Sequence, residues 1–126
     1  MSTTYHEPYA DMSAEAQNVH RALASLIEEL EAVDWYNQRA DVTADESLRD
    51  ILIHNRNEEI EHAAMALEWL RRRIPEFDEE LRTYLFTSAP ITEVEEAAEG
   101  GNENSQEAGT SSSGESLCIG NMSDKE

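Results

Sequence analysis

Asn57-Glu58-Glu59-Ile60-Glu61-His62-Ala63-Ala64-Met65 is the stretch on which the fold and the chemistry both turn. Positions three apart lie on one face of a helix, so Glu59 and His62 can point at one metal ion. A lone Glu-x-x-His pair is common on acidic helices and says little. Its surroundings say more. Leu48, Ile51 and Leu52 precede it, and Met65, Ala66, Trp69 and Leu70 follow at helical spacing. Arg71-Arg72-Arg73 then place positive charge where the helix dipole favours it, and Pro75 stops the helix.

Working toward the N-terminus, Thr43-Ala44-Asp45-Glu46 has capping-box form, with Thr43 and Glu46 each satisfying the other's backbone donor. Before it, Val19, Leu23, Leu26, Leu30 and Val33 recur at steps of four and three, the pattern of a buried helical stripe. Ser13 is the expected N-cap, and Glu15 sits in the first turn. A helix from Ser13 to Arg39 spans ~40 Å at 1.5 Å per residue. The connection to the second helix is a few residues, which forces an antiparallel hairpin.

Beyond Pro75, Phe77, Leu81, Tyr84, Leu85 and Phe86 form the apolar side of a shorter helix. Pro90 ends or kinks it, and Ile91 to Ala98 add a last turn or two. Residues 1–12 contain Pro8, lack periodicity and read as a flexible N-terminus. From residue 99 the composition turns to Gly, Asn, Ser, Glu and Thr, which cannot bury enough surface to offset chain entropy, so 99–115 reads as a disordered linker. Residues 116–126 restore apolar side chains in Ser116-Leu117-Cys118-Ile119-Gly120-Asn121-Met122, the form of a docking peptide on a tether. The folded domain is therefore 13–98, and no internal repeat is present.

The 126 residues carry a formal charge of −19, which argues against nucleic acid and against anionic membrane surfaces as partners. One cysteine, Cys118, excludes an internal disulfide framework and fits a reducing compartment. The sequence shows neither a secretory signal nor an apolar run near the ~20 residues a bilayer requires. The expectation is a soluble, cytoplasmic protein.

Two long helices in a hairpin cannot close a core, and each stripe is wide enough for more than one neighbour. Such a hairpin should pair with a second copy to make a four-helix bundle. Glu29 lies in the series Ala22, Leu26, Glu29, Val33, Tyr36, and Glu59 in Leu48, Leu52, Asn55, Glu59, His62, Ala66. Both carboxylates fall on or beside inward faces near mid-helix, where an unpaired buried charge costs several kcal/mol. Pointing toward a wetter edge of the stripe, or pairing with Arg21, Arg56 or His62, is one explanation. A metal shared by Glu29, Glu59 and His62 accounts for all three together. Doubled in a dimer, the set becomes four carboxylates and two imidazoles, the ligand inventory of a carboxylate-bridged two-metal centre. These donors suit iron, with zinc, manganese or calcium as competitors. Bridging carboxylates hold two metals ~3.5–4 Å apart, close enough to act on one oxidant.

Glu28-Glu29-Leu30-Glu31-Ala32-Val33-Asp34-Trp35-Tyr36, His54-Asn55-Arg56 and Glu58-Glu59-Ile60-Glu61-His62-Ala63-Ala64-Met65 resemble the encapsulated ferritins, half-length ferritin-like proteins housed in encapsulin shells. The resemblance covers most of the region from about Ser13 to Ile91. It implies an all-α hairpin with a short C-terminal helix that dimerises into a ferritin-like four-helix bundle and assembles into a ring of dimers, commonly a decamer. It also implies ferroxidase activity, oxidising Fe(II) to Fe(III) with dioxygen for iron storage or detoxification inside an encapsulin nanocompartment. On matching positions Glu29, Glu59 and His62 would be iron ligands with Tyr36 close by, and Glu28 and Glu31 an outer acidic site drawing metal inward. Ser116–Met122 resembles the family's encapsulin-targeting peptide, departing from it at Cys118 and at Asn121-Met122.

Several residues keep two readings. Tyr36 either supports a ligand carboxylate or is a core tyrosine with a satisfied hydroxyl. Trp35 reads as an interface aromatic. His54, Glu58 and Glu61 share a face that suits a second metal or is simply solvated; His6 and His20 have no evident role. The rival functions are a non-catalytic acidic helical cargo or adaptor, which would bind no metal, and a rubrerythrin-like peroxidase, which would prefer hydrogen peroxide to dioxygen.

Overall fold

Ser13 opens the first helix as expected, its Oγ accepting the Ala16 N–H at 3.1 Å. A computed structural model describes residues 4–108, from 101 onward as backbone alone, and every regular element among them is helical. Helix α1 spans Ala14–Val42 and α2 spans Glu46–Arg73. They pack together as the predicted hairpin.

The capping box expected at Thr43 and Glu46 does not form. Helix α1 continues past Arg39 to Val42, and both the N–H and the hydroxyl of Thr43 donate to the Arg39 carbonyl. With its hydroxyl committed to α1, Thr43 leaves the second helix to Asp45. That carboxylate accepts the Leu48 N–H at 2.9 Å and the Ser47 hydroxyl at 2.7 Å. A carboxylate is also the stronger partner for a helix N-terminus, where the dipole favours negative charge. The Ser47 hydroxyl first, then the Leu48 N–H, hold Asp45 below the usual carboxylate range.

Register follows from the ends. Arg73, last in α2, reaches Glu15 in the first turn of α1 at 3.0 Å, and its guanidinium covers the Trp69 ring. Moving fourteen residues inward along each helix from that pair leads to Glu29 and Glu59, so the two carboxylates face one another near mid-helix. Arg71 and Arg72 do more than suit the dipole. Both grip Glu68 at 2.6 Å, Arg71 with two nitrogens, and draw its carboxyl down to about 2.

The hairpin seals little. Ala40, Ala63 and Leu70 are the fully buried apolar residues among those described, and Leu70 alone is wholly enclosed. Ala63 and Leu70 mark one side of α2. Leu48, Ile51 and Met65 are exposed, roughly 100° round the helix on the side that also carries His62. On α1, Leu30, Trp35 and Val42 are likewise exposed. Large apolar side chains left open on two faces are the mark of a surface meant to be covered.

Residues 4–12 are pinned to α1 rather than left free. Tyr5 stacks on His20 with ring centroids 4.1 Å apart and meets Tyr9 edge-on at 5.2 Å. Arg21 donates to the Tyr9 hydroxyl at 2.7 Å, and the Gln17 amide donates to the carbonyls of Tyr9 and Met12. His20, without evident role in the sequence, is a packing partner.

A second unit starts at Ile74, after which Pro75 occupies the first turn of α3, Pro75–Tyr84, where its missing N–H costs nothing. Helix α4, Ile91–Ala108, packs on α3 and runs further than the composition change at Ala98 predicts. The chain leaves α3 through Phe86, a non-glycine residue at φ 62°. Ser116–Met122, including Cys118, lies outside the described residues.

Candidate metal centre

Glu29 of α1 and Glu59 and His62 of α2 meet as the sequence predicts. The His62 Nδ1 stands 3.6 Å from the Glu29 Oε2 and 3.5 Å from the Glu59 Oε2. One donor atom from each residue lies within 4.8 Å of the others, and no other group of three such side chains does so among the described residues. Two donors each about 2.1 Å from a common metal, at octahedral to tetrahedral angles, stand ~3.0–3.4 Å apart. The cluster is therefore nearly closed to ligation distance before any ion is bound.

Arginine does not neutralise it. Arg21 bonds Asn18 and Tyr9, and Arg56 bonds Asn37 and Asn57. Glu29 instead shares a hydrogen bond with Glu59, which raises its pKa above the usual carboxyl range. Partial burial and the Glu59 charge push the same way, and His62 opposes them. Two carboxylates turned toward each other with one imidazole form a site whose repulsion a divalent cation relieves.

The cluster is also partly open to solvent. Exposure of 28% for the Glu29 side chain, 24% for Glu59 and 44% for His62 leaves one flank open. Three residues supply few donors for a metal such as iron or manganese, which favours about six. His62 is the most exposed of the three, and Met65, one turn further along α2 on the same side, is exposed as well.

The other candidates stand apart from this cluster in the single chain. Tyr36 is two turns further along α1, ~10 Å of rise from Glu29, and half-buried beneath the Arg39 guanidinium, 5.4 Å from its ring. Glu28 and Glu31 lie three apart on a side of α1 turned at least ~100° from Glu29, and Trp35 continues that side, exposed. His54 and Glu58 approach to 3.4 Å on the exposed surface of α2. Sequence reasoning missed the split of α2 into two stripes; the three-residue step from Leu48 to Ile51, repeated from His62 to Met65, is the signal that could have revealed it.

Residues 4–88 match the EncFtn-like family. A curated "Ferritin-like protein" of Thermotoga maritima is 59% identical over 104 residues, covering 82% of this chain and 91% of its own length. An "Encapsulated ferritin-like protein" of Rhodospirillum rubrum is 50% identical over 124 residues, 96% of this chain and 89% of its own. Among solved structures, a Nitrosomonas europaea protein aligns with a TM-score of 0.68 at 59% identity, covering 69% of this chain and 96% of that one.

Proposed function

Because this chain belongs to the EncFtn-like family, we propose that it oxidises Fe(II) to Fe(III) at a site completed by two copies of itself, inside an encapsulin shell. The observation that carries the reading is the Glu29–Glu59–His62 cluster, set near ligation distance yet open on the flank where Leu48, Ile51 and Met65 are also uncovered. A second copy turned two-fold against that flank brings three more donors and covers the apolar stripe in one step.

In such a dimer each residue has a separable task. Glu29 and Glu59 supply the charge that attracts Fe(II) and can bridge two ions, and His62 supplies one neutral nitrogen per ion. Concentrated carboxylate charge favours Fe(III) over Fe(II), so the site lowers the cost of electron removal. Two Fe(II) release two electrons, which with two protons reduce one dioxygen to hydrogen peroxide; iron is the substrate. Once Fe(III) forms, it leaves for storage or detoxification in the compartment. Support for the shell comes from the Rhodospirillum relative, described as encapsulated, and from Ser116–Met122 in this sequence. Glu28 and Glu31 would gather metal outside the site, and Tyr36 would act from further along α1.

Oxygen consumption on Fe(II) addition tests the activity. Glu59→Ala is expected to reduce it to the rate of free Fe(II) oxidation while helicity is kept. An unchanged rate ends the ferroxidase reading, and preference for hydrogen peroxide over dioxygen would assign a peroxidase. Deleting the chain from Ser116 should leave oxidation intact and abolish shell loading.

A further inference from the structure

Arg56, like Arg21, bonds neutral groups in a chain with 28 acidic and 9 basic residues. Arg71, Arg72, Arg73 and Arg82 all pair with carboxylates. Arg71 and Arg72 do so within their own helix, both with Glu68 three and four residues toward the N-terminus. Arg56 is half-buried, sits three residues before Glu59, and makes no ion pair among the described residues. Its donors go to neutral amides instead. One terminal nitrogen bonds the Asn37 Oδ1 of α1 at 3.0 Å, while Nε and the other terminal nitrogen bond the Asn57 Oδ1 at 3.2 and 3.0 Å.

A guanidinium one turn from a carboxylate can fork onto it, and charge-assisted bonds are about twice as strong as bonds to neutral acceptors. A bidentate fork there would take both oxygens of Glu59, including the Oε2 that faces His62. Asparagine is the side chain that prevents it without a new cost. Its amide oxygen accepts two N–H donors, as Asn57 does, and carries no charge to draw a metal ion away from the cluster. An aspartate at either position would hold Arg56 more strongly and would also compete for the cation.

We propose that Asn37 and Asn57 are positioning residues that hold Arg56 off Glu59 and so keep that carboxylate free for metal. The proposal rests on Glu29, Glu59 and His62 being the ligands. Asn37 reaches across from α1, so its share of the restraint exists only when the hairpin is closed, while the Asn57 bonds lie within α2.

Calorimetric titration of the full chain with Co(II) under anaerobic conditions is the test. Asn37→Leu should weaken Co(II) binding about fivefold, since an exposed Arg–Glu pair contributes up to ~1 kcal/mol and 1.36 kcal/mol is a factor of ten. Adding Arg56→Met to that variant should restore the original affinity, because no cation remains to compete. A purely structural role for Asn37 predicts no restoration, so a double variant as weak as the single one overturns the proposal, as does unchanged binding in Asn37→Leu. Asn57→Ala, at an exposed position, must show the same loss and the same rescue, and it decides the matter if Asn37→Leu fails to fold. If the unsubstituted chain binds Co(II) and Glu59→Ala binds it equally well, the ligand assignment itself falls, whatever Asn37 does.

Discussion

Replacing Glu29 by glutamine should stabilise the metal-free protein and destroy its metal response. Carboxylate oxygens of Glu29 and Glu59 lie within 4.8 Å of each other. At that outer limit two unit charges repel by about 0.9 kcal/mol at the dielectric constant of water and about 3.5 kcal/mol at an effective value of 20. Both side chains are about a quarter exposed, and His62 lies 3.5–3.6 Å away as a partial counterweight, which places the net relief near the lower figure. We expect Glu29→Gln to gain about 1 kcal/mol at pH 7, or ~4–8 °C in Tm for a folded region of this size. The pH dependence has a fixed sign. The folded Glu29 has a raised pKa, so its unfavourable contribution appears as pH rises through that value and is absent below the ordinary carboxyl range, where it is protonated in both states. The advantage of the variant should shrink as the pH is lowered and vanish in acid. Metal reverses the order: at a hundred times the dissociation constant the original protein gains ~2.7 kcal/mol and the variant gains almost nothing. Thermal melts with and without Co(II) from pH 4 to 8 decide it. A metal-free variant less stable than its parent at neutral pH would refute the repulsion and make Glu29 a structural partner of His62.

Ile51→Glu combined with Met65→Glu should hold the chain as a monomer in native mass spectrometry, because each charge would cost several kcal/mol in a covered interface; iron oxidation should fall with it while helicity stays. Asp45→Ala should lower stability by about 1 kcal/mol through loss of the α2 cap, measured by denaturant unfolding. Glu68, drawn down to about 2 by Arg71 and Arg72, contributes stability above the ordinary carboxyl pKa that is lost as pH falls toward 2, so Glu68→Gln should flatten the acid limb of the stability curve. Phe86→Gly should be neutral to stabilising by up to ~1 kcal/mol, since the residue holds φ 62° and is 75% exposed.

The hairpin was legible because its helices are long and their apolar steps regular, and Glu29, Glu59 and His62 were legible because mid-helix charges in such stripes demand a reason. The turn was not. Thr43 and Asp45 are both cap-forming residues two apart, and nothing local says that α1 outruns Arg39 and claims the threonine. Residues 4–12 escaped because the contacts of Tyr5 and Tyr9 with His20 and Arg21 join positions more than ten apart and leave no periodic trace. The two sides of α2 blurred for a related reason. A wide stripe at helical spacing shows which residues are apolar, and only a partner helix shows which of them it covers.

So few sealed side chains in the hairpin have a kinetic corollary. If pairing completes both the core and the site, the active species is governed by mass action, and its amount rises with the square of protomer concentration at high dilution. Protomers adrift from their partners would be catalytically silent and open to proteolysis, since Ala40, Ala63 and Leu70 alone offer little resistance to local opening. Iron oxidation would then occur only where copies are crowded together, a spatial control written into the thinness of the fold.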